Sequence, residues 1–494
     1  MDDDKRKNMY PSLRHFINFL ESKNQLIRIQ DPIRAELEIT EITDRVTKAG
    51  GPALLFENVI KVDGQKSQFP LLINSYGTWQ RMAWALGVED VEQIAREIDE
   101  VIKTQPPSGL LDKLRMIPKL AKLGSYLPKT VSKGACQQVV QAPVDLSILP
   151  YLKCWPQDGG PYITFPVVIT KDPDTGIRNV GTYRMQVFDK QTTGMHWQIH
   201  KGGAKHFQRY RELRQKIPVA VVLGGDPTYG YAATAPLPDN VDEMILAGFI
   251  RKQGVEMVRC KTIDLEVPAD ADFILEGYVD PMEPLVQEGP FGDHTGYYSL
   301  ADNYPLFHVT AITHRKDAIY PTTIVGPPLQ EDGFIGKASE RIFLPLIKTT
   351  FPEIRDMNLP IEACFHNLAI VSIKKQYPGH AKKMMHSFWG MGQLMFSKCI
   401  IVVDDDVNVQ DLREVTWRVA NNIDPRRDIT FAEGPLDALD HSADQFAYGS
   451  KMGIDATTKW KEEGFPREWP PLIKMTEDVK RKIDTIWKQL GIHV

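Results

Sequence analysis

The chain has only five cysteines in 494 residues. Cys136, Cys154, Cys260, Cys364 and Cys399 are scattered, odd in number and without a Cys-x-x-Cys pair. That argues against a disulfide framework or a zinc ribbon and predicts reduced thiols, mostly in the core, of a cytosolic protein. No apolar run approaches the ~20 residues a membrane span requires, and the first residues hold no apolar signal core. Charge of one sign is missing too. The net charge of −5 is the balance of 59 basic and 64 acidic residues, so nothing points to a nucleic-acid partner or an anionic membrane. Neither a Walker A loop nor a Gly-x-Gly-x-x-Gly is present, which weakens a nucleoside triphosphate or nicotinamide reading. No internal repeat or low-complexity segment occurs. The run Lys5-Arg6-Lys7 is short, follows three acids and reads as a solvated tail.

What is present is an ordinary globular composition, 42% apolar and 25% charged, with enough chain for two or three domains. Residues 11–23 predict a helix with Pro11 in its first turn and Leu13, Phe16, Ile17 and Leu20 on one face. A second helix runs through Ile39, Ile42 and Val46 to Gly50-Gly51, and Ala53–Phe56 follows as a buried strand. Helical patterns cover 90–103 and 110–123. These make residues 1–120 an N-terminal α/β unit with a linker helix. From 121 to 325 short β-prone runs dominate: Tyr162–Thr170, Val180–Phe188, Val219–Gly224, Phe273–Val279 and Phe307–Thr313. They predict a barrel or a strongly bent sheet, with helical insertions near 203–214 and 240–253. Residues 326–494 read α/β, with strands at Leu368–Ile373 and Cys399–Val403. The acids Asp404, Asp405 and Asp406 after the second strand read as a solvated loop rather than a metal site. A last helix, 476–490, has Thr476 as its cap, stops at Gly491 and carries Val479, Ile483, Ile486, Trp487 and Leu490 on one stripe. It docks on its own body or on a partner subunit.

Chemistry concentrates in a few segments. Glu288-Gly-Pro-Phe-Gly-Asp293-His-Thr-Gly-Tyr-Tyr298 places two acids across a turn set by Pro290 and its glycines. Two acids in unlike surroundings can divide the roles of proton donor and charged partner, although a surface turn with solvated acids explains the same residues. In Asn179-Val-Gly-Thr-Tyr-Arg184, Arg184 needs an anion if buried. The odd separation puts Asn179 and Arg184 on opposite faces of a regular strand, so one shared site demands a bend near Gly181. Met195-His-Trp-Gln-Ile-His200-Lys-Gly-Gly203 ends on a helix start that suits an anion, with Lys201 adding charge. Glu243 falls in a first helical turn behind Asp239 and Asp242, where the helix dipole alone accounts for an acid. Asn179, His200 and Glu243 together would give an oxygen-rich set suited to Mn²⁺ or Mg²⁺. Lys398, before a strand, fits either a phosphate or a snorkelling strand end.

Taken in order, Gly51–Asn58, Cys154-Trp-Pro156, Asn179–Arg184, His200–Gly203, Gly225-Asp-Pro227, Leu265–Pro268, Glu288–Tyr298, Ile373–Ala381, Val403–Asn408 and Ser450–Ala456 resemble the UbiD family of (de)carboxylases over nearly the whole chain. The nearest branch is the bacterial 3-polyprenyl-4-hydroxybenzoate decarboxylases of ubiquinone synthesis. The resemblance implies an α+β fold: a flavin-binding split β-barrel central domain between an N-terminal α/β unit and a C-terminal α/β oligomerisation domain. It implies prenylated FMN, supplied by a flavin prenyltransferase and held through Mn²⁺ or another divalent ion on Asn179, His200 and Glu243. Potassium would lie near the backbone of Ala232, Ala233 and Ala235. Cofactor contacts match Thr182, Tyr183, Arg184, His196, Trp197, Gln198, Lys201 and Gly202, with Lys398 as the phosphate lysine. Arg184, Glu288 and Asp293 match the catalytic constellation. Two departures stand out: His196 replaces an arginine of the ubiquinone branch, and some relatives carry glutamate where Asp293 stands.

The implied reaction is a reversible decarboxylation of an aromatic acid, either the polyprenyl hydroxybenzoate, a naphthoate of menaquinone synthesis or a small phenolic acid. A simple FMN oxidoreductase is the reading from another class. Asp293 would deliver the proton that replaces CO₂, from a pocket apolar enough to raise its pKa. Arg184 would keep Glu288 charged. The expected location is cytoplasmic, with peripheral membrane contact for a polyprenyl substrate, and the expected assembly is a homo-oligomer between dimer and hexamer.

Overall fold

The computed structural model describes residues 6, 10–103, 121–198, 202–238 and 241–492. The first helix is Leu13–Ser22, with the four expected apolar residues buried. Pro11 does not stand in the first turn as expected but precedes the N-cap, Ser12. The basic run is not simply a solvated tail. Arg6 is buried, pairs with Glu97 and donates to the Ile250 carbonyl at 3.3 Å, so one member is anchored by an acid that sequence distance concealed. Helices Glu38–Lys48 and Glu92–Ile102 form as expected. The 110–123 helix falls mostly outside the described residues.

Ala53–Phe56 is buried along its whole length, as a continuous apolar run requires when both faces of a sheet are covered. It pairs with Leu26–Ile29 and Leu71–Ile73, and the fourth strand of that sheet is Tyr320–Pro321. The N-terminal sheet is therefore completed by chain that has already passed through the central region.

The central sheet runs Arg178–Thr182, Val167–Lys171, Ile217–Leu223, Phe273–Val279, Leu306–His314 and Thr192–Gly194, with Val139–Gln141 also on Leu306–His314. Every pairing is antiparallel. Among the described residues this path stays open. The chain leaves the first strand at Tyr183-Arg184, and Met185–Gln186 pairs instead with Tyr162–Ile163 as a separate ribbon. The expected insertions are the helices Gly202–Leu213 and Glu243–Arg251.

In the C-terminal region five strands lie in the order Ile354–Asn358, Leu368–Ile373, Cys399–Asp404, Tyr448–Asp455 and Ile429–Pro435. The inner pairs are parallel and the outer ones antiparallel. The long helix Glu331–Thr350 ties this region to the first. Ile335, Ala338, Ile342 and Phe343 pack into the N-terminal core, and Arg341 donates to Glu92 at 2.6 Å and to Asp356 at 2.7 Å. The acids after Cys399–Asp404 are each engaged: Asp404 accepts from Thr458, Asp405 pairs with Arg355 and Asp406 with Arg418. The last helix, Glu477–Ile486, continues as a turn over Trp487–Leu490. Val479, Ile483, Trp487 and Leu490 of its stripe are exposed. No described helix is long and apolar enough to cross a membrane. The five cysteines are free thiols, with Cys136, Cys154 and Cys364 buried.

Candidate active site

The segment from Asn179 to Arg184 organises the site. It leaves its strand after Thr182, so the bend that one shared site demands falls at Tyr183-Arg184, just beyond Gly181. Gly181 has a different task. A Cβ there would meet the Tyr183 ring at 2.5 Å, so only glycine lets that ring fold back over the strand. The Tyr183 hydroxyl accepts the Gly203 amide at 3.3 Å at the start of the Gly202–Leu213 helix.

At the beginning of the segment lie Asn179 and Glu243. Asp242 caps the Glu243–Arg251 helix, accepting from the Met244 amide at 2.9 Å, and so fixes Glu243 in its first turn. Glu243 Oε2 accepts the Val180 N–H at 2.8 Å, beside Asn179. Burial pushes the Glu243 carboxyl up to about 7, and its backbone hydrogen bonds only partly oppose this. Asn179 Oδ1 lies over Gly202, where a Cβ would come within 2.0 Å. His200 and Lys201 lie outside the described residues. No group of three or more acidic, histidine or cysteine side chains suited to a metal occurs among the described residues.

This half of the site has unspent polar capacity. Among the described residues Thr182 Oγ1, Trp197 Nε1 and Asn179 Nδ2 are buried without a hydrogen-bond partner, which folded proteins rarely tolerate in the absence of a ligand or water. Together with a buried Glu243 carboxylate that bonds no cation among the described residues, these atoms fit a polar anionic cofactor with a divalent metal ion. Gly203 lies against the Trp197 indole, 2.6 Å from a Cβ built there. Gln198 is half-buried. The carbonyls of Ala232, Ala233 and Ala235 each accept a backbone N–H, Ala233 from Thr182 at 3.2 Å, and each retains a second lone pair.

At the far end of the segment Arg184 lies between two acids. Its Nε and Nη2 donate to Glu288 Oε1 and Oε2 at 2.9 and 3.2 Å. Its Nη1 pairs with Asp293 Oδ2, and Nη2 also reaches Ser299 Oγ at 3.1 Å. The guanidinium lies 4.6 Å from the Phe291 ring centroid. His196 turns toward Glu288, with Nδ1 3.0 Å from Oε2, and packs on Tyr304 at 4.1 Å. Burial raises Glu288, but His196 and Arg184 outweigh it and bring it down to about 2. Burial with the Arg184 charge lowers His196, so the imidazole is neutral and donates its Nδ1 proton to the carboxylate.

Asp293 contradicts the expected raised pKa. Burial does push it up, but the Arg184 charge and the bonds from His294 hold it well below the usual carboxylate range. A pocket apolar in burial is here dominated by one guanidinium. The turn that presents both acids is fixed from outside. Gly289 donates to Gln186 Oε1 and Gly292 to Asp158 Oδ1, each at 2.8 Å. Asp158 also accepts the amides of Cys154 and Trp155. Gly292 lies against the Trp155 indole, where a Cβ would sit 2.2 Å away.

The same constellation gains residues that the sequence reading missed. Ser299, Gln186, Asp158, His294 and Tyr304 all contact the acids, their loop or His196. His294 was visible in principle, because it directly follows Asp293. Lys398 lines a cavity of about 310 Å³ with Thr295, Tyr297, His366 and the 439–442 loop, and it pairs with Asp440 at 2.7 Å. A groove of about 440 Å³ lies elsewhere, around Leu37, Glu41 and Arg45, without any of this chemistry.

Comparison with known proteins decides the family. The models for the N-terminal, Rift-related and C-terminal domains of 3-octaprenyl-4-hydroxybenzoate carboxy-lyase match residues 17–100, 129–328 and 333–456. The chain belongs to the UbiD family of carboxy-lyases. Uncharacterized proteins from Aquifex aeolicus and Archaeoglobus fulgidus are 52% and 51% identical, over 98% and 97% of this chain and 99% and 98% of theirs. Among solved structures, the closed form of vanillic acid decarboxylase from Sedimentibacter hydroxybenzoicus matches with TM-score 0.84 and 28% identity, covering 97% of this chain and 99% of that one. The open form of the same enzyme gives 0.76. The UbiD-class enzyme HmfF from Pelotomaculum thermopropionicum, in complex with FMN, gives 0.76 at 28% identity over 93% and 97%.

Proposed function

We propose that this UbiD-family chain is a prenylated-FMN-dependent, reversible decarboxylase of an aromatic acid. The observation that carries this is a buried Arg184 pairing with two ionised acids, at the end of a segment along which Asn179 Nδ2 and Thr182 Oγ1 have no partner among the described residues and against which the buried Glu243 lies. Structures of HmfF with FMN and with prFMN support the flavin. The split-barrel description of the central unit belongs to this reading.

When bound, the modified flavin supplies the electron sink that loss of CO₂ requires and no side chain here provides. Asn179 and Glu243, with His200 in the family pattern, would hold its divalent ion, Mn²⁺ by preference. Lys201, Gly202 and Lys398 would serve the phosphate, and Thr182, Tyr183, Trp197, Gln198 and His196 the remainder. K⁺ would use the free lone pairs near Ala232–Ala235.

The protein's own contribution is charge and proton placement. A substrate carboxylate approaching Arg184 competes with Asp293 for the guanidinium. As that pairing weakens, burial regains control and the Asp293 pKa rises. Asp293 then takes up the one proton that decarboxylation consumes and delivers it to the carbon that lost CO₂. Glu288 stays ionised and holds Arg184 in place.

Of the substrates, 3-polyprenyl-4-hydroxybenzoate follows from the branch resemblance, and peripheral membrane contact goes with it. A small phenolic acid is the second reading, favoured by the likeness to the vanillic acid decarboxylase. The exposed stripe on the last helix supports a homo-oligomer. The test is to load the protein by co-expression with a flavin prenyltransferase and to read CO₂ release from both acids and from naphthoates. The reading fails if loaded protein releases no CO₂ from any of them and exchanges no deuterium into product analogues. Oxidation of NADH instead would favour the FMN oxidoreductase.

A further inference from the structure

From Asp293 Oδ1, the oxygen that Arg184 does not bond, a second hydrogen-bonded path leaves the acid. His294 Nδ1 lies 2.9 Å from Asp293 Oδ1. Its other nitrogen, Nε2, lies 2.8 Å from His366 Nε2. His366 belongs to a different part of the fold, between the turn Ile361–Ala363 and the strand Leu368–Ile373 of the C-terminal sheet. His294 also stacks on Phe365 at 5.3 Å with the planes 23° apart. His366 borders the cavity that holds Lys398. The carboxylate thus has one partner, Arg184, from the central region and one path, through two imidazoles, into the C-terminal region.

Proton counting restricts this arrangement. Asp293 is an ionised acceptor, so His294 Nδ1 carries a proton. The two facing Nε2 atoms have room for one proton between them. If His294 is neutral, His366 donates; if His294 is a cation, His366 accepts. A second proton on the pair places two N–H groups nose to nose and breaks the bond. The charged and titratable groups facing His294 are Asp293 on its own loop, Asp332 at the start of the Glu331–Thr350 helix, Asp437 and His366. Burial opposes the cation, but Asp293 and the other two acids raise His294 above its ordinary value. Asp332, buried, is itself pushed up to about 7.

We propose that His366 is a positioning residue for the acid: acting through His294, it fixes the imidazole tautomer and orientation that hydrogen-bond Asp293, so the C-terminal region completes the proton-donating group. A third group that orients a histidine beside a reacting side chain is a recurrent arrangement. Here the third group is another imidazole, which makes the arrangement sensitive to pH. This inference rests on Asp293 being the proton donor proposed above.

The experiment compares H366F and H366Q with the wild type as flavin-loaded protein. The amide of glutamine can donate to a neutral His294 or accept from a cationic one, and it does not titrate. Phenylalanine does neither. H366F should lower kcat by about tenfold or more, the size of effect typical of partners that orient a histidine, with KM and flavin content near wild type. H366Q should recover much of that loss, with the acid limb of the kcat profile moved to lower pH because the second protonation of the pair is gone. Wild-type kcat and pH profile in H366F would overturn the proposal. So would an H366Q as impaired as H366F with an unshifted acid limb, which marks mere structural packing. Histidine side-chain ¹⁵N shifts of the cofactor-free protein give an independent answer: the Nδ1–H signature of His294 should persist in H366Q and blur in H366F. If the wild type releases no CO₂ from any substrate, the decarboxylase reading has failed. The ¹⁵N spectra still decide whether His366 sets the state of His294.

Discussion

Glu243 and Glu288 are both buried acids bonded to the same short segment, Glu243 to the Val180 amide and Glu288 to the Arg184 guanidinium, and burial pushes both toward the neutral form. They nevertheless end on opposite sides of their ordinary value, Glu243 at about 7 and Glu288 at about 2. The difference is that Glu288 bonds His196 and the Arg184 cation directly, whereas Glu243 bonds only backbone amides among the described residues. At the Arg184 end the chain supplies its own cation, and the acids there are paired before anything binds. At the Asn179 end no protein cation is bonded to Glu243 among the described residues, and backbone hydrogen bonds with the more distant Arg178 charge offset burial only in part. On the proposed function, one half of the site supplies fixed catalytic electrostatics and the other would be a receptor whose affinity comes from an unmet charge.

The largest effects should come from the self-sufficient half. Asp293→Asn keeps the size and most hydrogen bonds of the side chain but removes the transferable proton. It should cut kcat by about 100- to 10,000-fold, the range for lost general acids, while flavin absorbance and manganese content stay at wild-type level. Wild-type turnover in a loaded D293N protein would remove Asp293 from the mechanism. Arg184→Gln should cost about 100- to 1,000-fold in kcat/KM, comparable with loss of a preorganised charge partner. It should also raise the pKa of both acids, because only the His196 and His294 contributions then oppose burial, so that whatever activity remains has its pH optimum displaced upward.

The receptor half should answer to metal. Glu243→Gln removes the unmet charge, and manganese affinity should fall by about 10- to 100-fold, read by metal analysis and by the flavin spectrum after loading. The fold itself should not suffer, since an unpaired buried carboxylate has been replaced by a neutral amide. The pH dependence carries the same contrast. Glu243 has a raised pKa in the folded state, so in metal-free protein its ionisation opposes folding: the cost is absent below about 4.5 and grows as pH rises to about 7. Saturating Mn²⁺ should abolish that decline. Glu288 has a lowered pKa, so its stabilisation is present above about 4.5 and lost as pH falls toward about 2. Melting temperature against pH, with and without manganese, separates the two.

This contrast could not be read from the chain alone. Periodicity located the strands Phe273–Val279 and Leu368–Ile373 to the residue, because apolar runs bounded by turns encode burial locally. The acids, the arginine and the spacing of Asn179 from Arg184 were also visible, and ordered motifs pointed to the family. What failed depends on distant partners. The Asp293 pKa is decided by Arg184 and His294 rather than by the apolarity of its loop. Arg6 is buried because Glu97 and the Ile250 carbonyl wait for it. His366 carries no local signal, since its partner lies 72 positions away.

The finest test uses two glycines, each resting against one half. A Cβ on Gly202 would meet Asn179 Oδ1 at 2.0 Å, and one on Gly292 would meet the Trp155 indole at 2.2 Å. Overpacking of this kind costs about 1–3 kcal/mol, so both Gly202→Ala and Gly292→Ala should lower the melting temperature by similar, modest amounts. Their functional signatures should diverge. Gly202→Ala displaces the Asn179 amide and should weaken manganese and flavin loading while leaving the Arg184 pairings as they are. Gly292→Ala shifts the turn that presents Asp293, so loading should be intact and kcat reduced. Equal losses of loading in both variants would mean that the two halves are one mechanically coupled unit, and that the division drawn from Glu243 and Glu288 is electrostatic only.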